Sequence, residues 1–503
     1  MSYVLSFYRG HDSSVALVGE GRIIHLEMER FTRKKHDGGA VDTLITQAVK
    51  QAGISADDIV AVAGLGCSDD LGCETKHTRP AWSDDIGGMN AIDPCEAGVK
   101  ALGRTYPCYY MPHHVGHAAY SFYTSQAESA RVIVVDGGGD AWDSKDGSPL
   151  WVIDAIAGTI SQPFGSSECK WDMQIVPQLQ IGGRWNDLAE QLFGSWHCAG
   201  SVMALGGVPI GEHLQEPVAS TIRTLQDDTT RDFHNIANEL SKYPTIVLGG
   251  GCALNGIAAY SLLKRDDVNA VHVPPAVHDG GMPVGAAMMV LHRVLGIPRI
   301  RYYVEDIAFC GYGDESLGGG ESWEEIASKP PIDEIVGRLV KGKVVALAYG
   351  QAESGPRALG HRSFLADPRA PGIKDRLNRI KGRQPWRPVA PVILPEYAGH
   401  YFDIIDPSAY DFMTMICTAK PRALEELPQA IHTDGTARVQ VCREWPLDVI
   451  LQRFYEATGC PALLNTSFNC AGEAIANDAT QARDTFKRSG ADCLVIGNKM
   501  EVG

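Results

Sequence analysis

Two histidines separated by three residues constrain this chain more than any other feature of its sequence. His113 and His117 follow Pro112, which favours the first turn of a helix, and the apolar residues after them continue a helical period. The two imidazoles should therefore lie on one face of a helix, about one turn apart and within reach of one cation. The segment could also be a helix whose histidines are only half-buried and hydrogen-bonded, so further ligands must decide.

Two acidic residues in glycine-rich loops are candidates for those further ligands. Asp136 ends a predicted strand at 131–136, and Asp279 lies in a loop before a helix predicted over 283–294. A carboxylate at the end of a strand is the type of ligand that a histidine pair lacks. The sequence therefore predicts a divalent metal site formed by His113, His117, Asp136 and Asp279.

A strand that runs into consecutive glycines predicts a nucleotide site. Residues 245–248 are apolar, Gly249 to Asn255 follow, and a helical pattern continues through Leu262. Such glycines let the backbone approach a ligand closely, and helix N-terminal N–H groups point at its anion. The chain lacks the G-x-x-x-x-G-K-[ST] loop.

A strand, a polar loop and a hairpin occur twice in the first part of the chain. The first set covers residues 3–28; the second covers 131–160, with hairpin strands predicted near 150–156 and 159–162. A phosphate-clamping fold with two related lobes would show such a duplication, although similar hairpins are common in mixed α/β proteins.

Basic residues are concentrated in one segment of an acidic chain. Residues 353–387 contain seven Arg and two Lys against three acids, while the formal net charge of the whole chain is −16. Their interleaving with Gly and Pro favours a pocket for a small anion over a solvated basic face. Ser467 and Asn469 add hydroxyl and amide donors after a strand predicted at 462–464. Residues 297–330 have the composition of a connection, so two domains are predicted, 1–325 and 326–503.

The composition argues against several classes of protein. A chain of 503 residues with 44% hydrophobic and 21% charged residues is typical of a globular protein of two to four domains. Its negative net charge argues against a nucleic-acid partner. We find no apolar stretch long enough to cross a bilayer and no signal-peptide pattern, so we expect no membrane partner and a cytoplasmic location. The thirteen cysteines form no C-x-x-C pair and should be reduced thiols.

The chain resembles the ATP-dependent O-carbamoyltransferases that modify bacterial natural products and nodulation factors, including the tobramycin and cephamycin enzymes. More distantly, it resembles the hydrogenase-maturation and tRNA threonylcarbamoyl enzymes. The similar segments occur in the family's order over nearly the whole chain; they are residues 11–14, 29–33, 113–118, 136–140, 250–255, 353–362, 432–440 and 465–469. Two positions depart from the family pattern: Ser201 stands where a lysine is usual, and Asp140 where a glutamate is usual.

This resemblance implies an α/β fold in two parts. The N-terminal part would be an actin-like, duplicated ribonuclease H-like domain that binds a divalent metal, often Fe²⁺, through the four residues predicted above. The C-terminal part would be an α/β YrdC-like domain. ATP would lie against Gly137, Gly138, Gly250, Gly251 and Asn255. Carbamoyl phosphate would be held by Arg357, Arg362, Arg383, Arg387, Arg438, Ser467 and Asn469.

The implied reaction passes from carbamoyl phosphate through carbamate and carbamoyl-AMP to a hydroxyl of a small natural-product acceptor. His11 or Asp12 in the first loop is the candidate base for that hydroxyl. Two alternatives remain open: transfer to a nitrogen or a macromolecular acceptor, and a non-catalytic ATP-binding regulator of the same fold. The identity of the acceptor and a homodimeric assembly are also left open.

Overall fold

The computed structural model describes residues 2–65, 92–138, 141–142, 151–152, 154–176, 179–205, 216–240, 242–318 and 330–503. Asp140 lies outside the described residues.

The chain divides into two compact units. The first comprises Met1–Met28, His36–Val202 and Leu225–Ile307, and the second Glu29–Lys35, Met203–Thr224 and Ala308–Gly503. The domain bounds predicted from the sequence stay a prediction. In the described part of the chain, no helix is both long and apolar enough to cross a membrane.

The first unit begins with a six-stranded mixed sheet in the order β3-β2-β1-β4-β6-β5. Strand β1 is antiparallel to β2 and parallel to β4, so a hairpin lies on one side of it and parallel strands on the other. The strands are β1 (Tyr3–Tyr8), β2 (Ser14–Gly19), β3 (Arg22–Glu27), β4 (Ile59–Leu65), β5 (Asp93–Ala101) and β6 (Arg104–Met111).

A second sheet of the first unit repeats that arrangement, in the order β11-β10-β7-β12-β13. Strand β7 is antiparallel to β10 and parallel to β12. The strands are β7 (Ser129–Val135), β10 (Ala155–Ser161), β11 (Lys170–Ile175), β12 (Thr245–Gly249) and β13 (Ala270–His272), with β8 (Ala141–Trp142) and β9 (Trp151–Val152) forming a separate two-stranded ribbon. The predicted duplication is therefore present in the topology.

One detail of the predicted duplication is wrong. The hairpin strands expected at 150–156 and 159–162 are replaced by the single strand β10, because nearly all of it pairs both with β7 and with β11. The second strand of the hairpin is β11, which begins at Lys170. Local alternation of residue types could not show how far this strand continues, because its length is set by pairing with β7 and β11.

Helices complete the first unit and position its loops. They are α1 (Met28–Thr32), α2 (Asp42–Ala52), α3 (His113–Tyr123), α4 (Ile181–Phe193), α5 (Ala199–Leu205), α6 (Val218–Glu239), α7 (Gly256–Leu263), α8 (Met282–Met289) and α9 (Val304–Ala308). Of these, α1, α5 and α9 end in the second unit, and α6 begins there. Helix α3 packs against β7 and β12, whereas α8 packs against β1, β2 and β4. The fully buried α3 therefore lies against the second sheet and α8 against the first.

Helices α3 and α8 approach each other so closely that only glycine fits between them. A Cβ atom on Gly285 would lie 2.1 Å from the carbonyl oxygen of Gly116. This contact brings the start of α3, which carries His113, beside the loop that precedes α8, which carries Asp279. His113 and Asp279, 166 positions apart in sequence, thus meet because the two helices lack side chains where they cross.

The second unit is built on a seven-stranded mixed sheet in the order β19-β16-β20-β15-β14-β21-β22. Helix α10 packs against α14 and β14, α14 against β20, and α15 against β14 and β21. The strands are β14 (Val345–Ala348), β15 (Arg362–Ala366), β16 (Ala390–Ile393), β19 (Gln440–Val441), β20 (Ala462–Ser467), β21 (Cys493–Ile496) and β22 (Lys499–Val502), with β17 (Cys417–Thr418) and β18 (Thr436–Ala437) paired separately. The helices are α10 (Ile332–Val340), α11 (Ile373–Ile380), α12 (Pro395–Tyr401), α13 (Pro421–Glu426), α14 (Leu447–Thr458) and α15 (Ala479–Ser489).

Candidate functional site

Four buried side chains of the first unit converge on one point. One nitrogen or oxygen from each of His113, His117, Asp136 and Asp279 lies within 4.8 Å of the others. Both histidines lie in the first half of α3, Asp136 directly follows β7, and Asp279 begins the turn before α8. The structure thus brings together all four residues of the predicted metal site. We refer to them as the four-ligand cluster.

Each carboxylate of the four-ligand cluster directs one oxygen towards the histidines and the other away from them. Asp136 Oδ2 lies 2.9 Å from Nε2 of His117, and Asp279 Oδ1 lies 3.3 Å from the same nitrogen. Asp136 Oδ1 accepts hydrogen bonds from the backbone N–H groups of Gly137 and Gly251, at 2.7 and 3.2 Å. One oxygen of each acid is therefore available to a cation while the other is held by the protein.

The cluster fits a divalent cation. Neither ring nitrogen of His117 has a hydrogen bond of acceptable geometry in the described structure, although the side chain is fully buried. Burial acts to lower the pKa of His113, but the nearby Asp279 and Asp136 carboxylates raise it well above its usual value. A cation would neutralise the two acids without requiring protonated imidazoles. Two imidazole nitrogens and two carboxylate oxygens are suitable ligands for iron, zinc or manganese.

The glycines predicted to contact a nucleotide lie beside this cluster. Gly250 has φ +82°, and a Cβ atom there would lie 2.3 Å from the carbonyl oxygen of Val135, so a larger residue would be strained in both respects. Gly251 and Gly137 share Asp136 Oδ1 as acceptor, and Gly138 follows Gly137. The glycines therefore place backbone without side chains directly beside Asp136 of the four-ligand cluster.

Asn255 has a different position from the glycines. Its side-chain oxygen accepts from the N–H of Ala258 at the start of α7, and its amide exchanges two hydrogen bonds with Gln226. The residue is 3% exposed. Asn255 is thus an N-cap that holds the helix after the glycines, and this contact with the protein occupies its side chain.

In the first loop, the two candidates for the acceptor base, His11 and Asp12, have different surroundings. The His11 side chain is 42% exposed, and its Nε2 lies 3.2 Å from Asp279 Oδ2. Asp12 is buried with φ +63°, and its carboxylate pairs with His36 Nδ1 at 2.8 Å. Burial acts to raise the pKa of Asp12, yet the hydrogen bond from His36 and the neighbouring histidines hold it below its usual value. His11 is therefore the more accessible of the two.

Trp196 and His197, from a distant segment of the chain, lie against His11 and His36. The Trp196 ring, 39% exposed, meets the His11 ring edge-on at 5.0 Å, and His197 stacks on His36 at 4.2 Å. These contacts join residues about 160 to 185 positions apart, so no local spacing could have indicated them. Ser201, at the position where a lysine was expected, lies in α5.

In the second unit, several cationic side chains lie close enough to act on one another. Within the described part of the chain, no carboxylate pairs with Arg357 or Arg438, and their Nε atoms have no hydrogen-bond partner. Burial lowers the pKa of Arg357, and the positive charges of Arg438 and Arg387 lower it further. Burial and Arg387 likewise lower the pKa of Arg383 to about 9. Clustered cations that depress one another's pKa are typical of a site for a strong anion.

Lys381 belongs to the same cluster, although the sequence analysis did not select it. Its Nζ donates to the backbone and side-chain oxygens of Ser467, the latter at 3.0 Å, and to Asn469 Oδ1 at 2.7 Å. Burial lowers its pKa first, followed by Arg383, Lys35 and Arg387. Lys381 therefore links the predicted Ser467 and Asn469 to the arginines. We refer to Arg357, Lys381, Arg383, Arg387 and Arg438 as the basic cluster.

Arg362 does not join the basic cluster. It is 0% exposed, and its guanidinium donates to the carbonyl oxygens of Tyr349, Gly350, His361 and Asn477. All three guanidinium nitrogens are thus engaged by backbone acceptors. The predicted contact between Arg362 and an anion is not supported by this geometry, and the residue holds the loops around the cluster instead.

Glu353 organises the loop that carries Arg357. Its Oε1 accepts hydrogen bonds from the backbone N–H groups of Leu359, His361 and Arg362, each at 2.9 Å. Burial acts to raise the pKa of Glu353, but the charges of Arg30, His361 and Arg362 and the bond from Arg362 N hold it below its usual value. An ionised, 1% exposed carboxylate therefore anchors this segment.

Replacing Glu353 with glutamine should lower the free energy of unfolding by about 3 kcal/mol at neutral pH, since it removes one charge from a buried set. Because the folded-state pKa lies below the unfolded value of 4.5, the ionised form contributes stability above pH 4.5 and loses it as the pH falls through the folded pKa. The difference from wild type should thus narrow below about pH 4.5. Urea unfolding at several pH values measures this, with the exposed Glu425→Gln as control; a difference independent of pH would contradict it.

Comparisons with known proteins match both parts of the chain. The family described as "Carbamoyltransferase N-terminus" matches residues 202–288, and "Carbamoyltransferase C-terminus" matches residues 336–501. The chain is 34% identical to nodulation protein U of Rhizobium tropici over 94% of this chain and 92% of that protein. It is 27% identical to nodulation protein NolNO of Sinorhizobium fredii, covering 97% and 78% of the two chains. With the 3'-hydroxymethylcephem-O-carbamoyltransferase of Amycolatopsis lactamdurans it shares 25% identity over 98% of each chain. The chain therefore belongs to the carbamoyltransferase family.

Proposed function

We propose that this protein is an ATP-dependent O-carbamoyltransferase that carries the carbamoyl group of carbamoyl phosphate, through carbamoyl-AMP, to a hydroxyl of a small natural-product acceptor. One observation carries the proposal: in addition to the four-ligand cluster and the glycines next to it, the chain contains a cluster of cations in which no carboxylate of the described residues pairs with Arg357 or Arg438. Carbamoyl phosphate is already an activated donor, so direct transfer would need only one pocket and no nucleotide. An adenylate intermediate gives each cluster a role.

The basic cluster is the proposed site for carbamoyl phosphate. Arg357 and Arg438 supply charge that no carboxylate neutralises within the described structure, and Lys381 holds Ser467 and Asn469 in place by donating to their oxygens. Arginine forks recognise phosphate oxygens by paired, charge-assisted hydrogen bonds. As water cleaves carbamoyl phosphate to carbamate and phosphate, these cations would stabilise the charge on the departing phosphate.

The four-ligand cluster is the proposed site of the second half-reaction. His113, His117, Asp136 and Asp279 would hold a divalent cation, with Fe²⁺ as the first candidate, and that cation would offset charge developing on the α-phosphate of ATP. Gly137, Gly138, Gly250 and Gly251 leave room for the nucleotide to approach, and Asn255 keeps α7 in place behind them. The carbamate oxygen displaces pyrophosphate from ATP, which yields carbamoyl-AMP.

His11 is the proposed base for the acceptor. Its ring is exposed to an incoming molecule yet lies 3.2 Å from a carboxylate oxygen of the four-ligand cluster. It would take the proton of the acceptor hydroxyl as that oxygen attacks the carbamoyl carbon and AMP leaves. Asp12, engaged with His36, would support the shape of the loop.

The nucleotide products test this proposal. Purified protein incubated with ATP and carbamoyl phosphate, but without acceptor, should release phosphate and pyrophosphate and form carbamoyl-AMP. When a library of hydroxyl compounds is then added, the true acceptor should gain the mass of a carbamate ester, and AMP should be released. Carbamoyl transfer at full rate in ATP-free solution would contradict the adenylate route. ADP as the sole nucleotide product would indicate kinase-like activation, and a mass gain only on amines or macromolecules would move the acceptor to another class.

A further inference from the structure

We propose that Tyr8 is a positioning residue of the metal site: its hydroxyl holds Asp279 Oδ2, so that this carboxylate presents only Oδ1 to the cation. The inference rests on the proposed function, because it requires a cation at the four-ligand cluster. It assigns a role to a residue that lies outside the cluster itself and whose position in the chain, at the end of β1, does not suggest one.

The contacts of Asp279 separate its two oxygens. The Tyr8 hydroxyl donates to Oδ2 at 3.1 Å, and His11 Nε2 lies 3.2 Å from the same atom. Oδ1 instead lies 3.3 Å from His117 Nε2 and 3.5 Å from His113 Nε2. The Tyr8 ring also meets the His113 ring edge-on at 6.2 Å. The tyrosine thus supports both a carboxylate and an imidazole of the cluster.

In Asp136, too, one carboxylate oxygen faces the histidines and the other is held by hydrogen bonds, but the donors are different. Its outward oxygen is held by the backbone N–H groups of Gly137 and Gly251, which no side-chain substitution removes. For Asp279 the corresponding donors are side chains. Replacing Tyr8 with phenylalanine removes one of these contacts and leaves the formal charge of the site unchanged.

The backbone beside Asp279 is fixed independently of Tyr8. The Gly280 carbonyl oxygen accepts from Ser14 Oγ at 2.7 Å and lies 2.6 Å from His25 Nε2. Removing the tyrosine hydroxyl should therefore leave the loop in place and weaken the hold on Oδ2, which keeps its contact with His11. The carboxylate could then turn and offer both oxygens to the cation, and such a loss of outer support typically weakens metal affinity by about 10–100-fold.

The test compares Co²⁺ binding to metal-free wild-type protein, Tyr8→Phe and Tyr302→Phe. Tyr302 is a matched control, since it is 2% exposed and its hydroxyl has no hydrogen-bond partner within the described structure. Tyr8→Phe should bind Co²⁺ about 10-fold or more weakly, and its visible bands should lose intensity per bound ion as the carboxylate becomes bidentate. Tyr302→Phe should match wild type in both respects.

The outcomes separate this inference from the proposed function. Equal Co²⁺ affinity and identical spectra for Tyr8→Phe and wild type would overturn the role of Tyr8 while leaving the cluster intact. An equal loss in Tyr302→Phe would also overturn it, since the effect would then be one of packing. If wild-type protein bound no Co²⁺, or if His117→Ala bound Co²⁺ as well as wild type, the four-ligand cluster would not be the metal site. The inference about Tyr8 would then fail with it.

Discussion

Replacing His117 with alanine is expected to empty the four-ligand cluster and abolish carbamoyl-AMP formation. The His117 side chain is fully buried, and its Nε2 is the nitrogen closest to Asp136 Oδ2, at 2.9 Å. Without it, the two buried carboxylates keep only His113 of the helical histidine pair, and a cation loses one of its four proposed ligands. Metal content per chain after purification, measured together with acceptor-free formation of carbamoyl-AMP, tests both parts of this expectation.

Two further variants make the His117 result interpretable. His117→Gln keeps most of the volume of the side chain and should also lose the metal, which separates loss of a ligand from a packing defect. His234→Ala removes a histidine whose described contacts are with Ser261 and Arg265, and it should retain full metal content. Full metal content in folded His117→Ala protein would show that the assignment of this ligand is wrong.

Arg362→Ala is expected to unfold the second unit, whereas Arg357→Ala should leave it folded and remove its affinity for phosphate. The Arg362 guanidinium satisfies four buried carbonyl oxygens, and each acceptor left unpaired costs about 1–3 kcal/mol. The sum approaches the whole stability of a typical domain, about 5–15 kcal/mol. Arg357 instead adds to mutual repulsion among cations, so its loss removes an unfavourable interaction from the free protein.

Thermal unfolding with and without inorganic phosphate distinguishes the two arginines. Wild-type protein should be stabilised by phosphate, because a ligand that binds only the folded state raises its stability. Arg357→Ala should melt near the wild-type temperature but lose that response. The exposed Arg379→Ala, a change of the same size on α11, should keep both properties. If Arg362→Ala protein were folded and had lost only its response to phosphate, Arg362 would be a ligand of the anion after all.

The predicted metal ligands could be recognised from the sequence because each depends on local geometry. Residues four apart in a helix lie on one face whatever the rest of the chain does, and an acid after an apolar strand or in a glycine loop lies at the end of a secondary-structure element. The same reasoning identified the glycines at 249–251, the basic segment and the repeated strand-and-hairpin unit. Each of these patterns is short, and each is present in the chain before any tertiary contact forms.

The role of an individual side chain was harder to predict from the sequence. Arg362 and Arg357 are five residues apart in one motif, yet one binds backbone carbonyls and the other is left without an acidic partner. Lys381 stands in the same basic run, but its contacts with Ser467 and Asn469 span almost 90 positions. In the sequence, an arginine that binds buried backbone groups and an arginine that binds a ligand have the same charge and can have the same spacing. Only the acceptors that surround each guanidinium distinguish them.

The residue types and their local arrangement can be read from the sequence: a histidine pair on one helix, acids and glycines at the ends of strands, and a surplus of cations in one segment. Which of these residues meet, and which oxygen of each acid faces His113 and His117, depends on tertiary packing. The glycine contact between α3 and α8 brings His113 to Asp279, and the end of β1 brings the Tyr8 hydroxyl to the far side of that carboxylate. The physical reason is that hydrogen bonds and ion pairs act over about 3–4 Å, so their partners are chosen by how elements pack and not by distance along the chain.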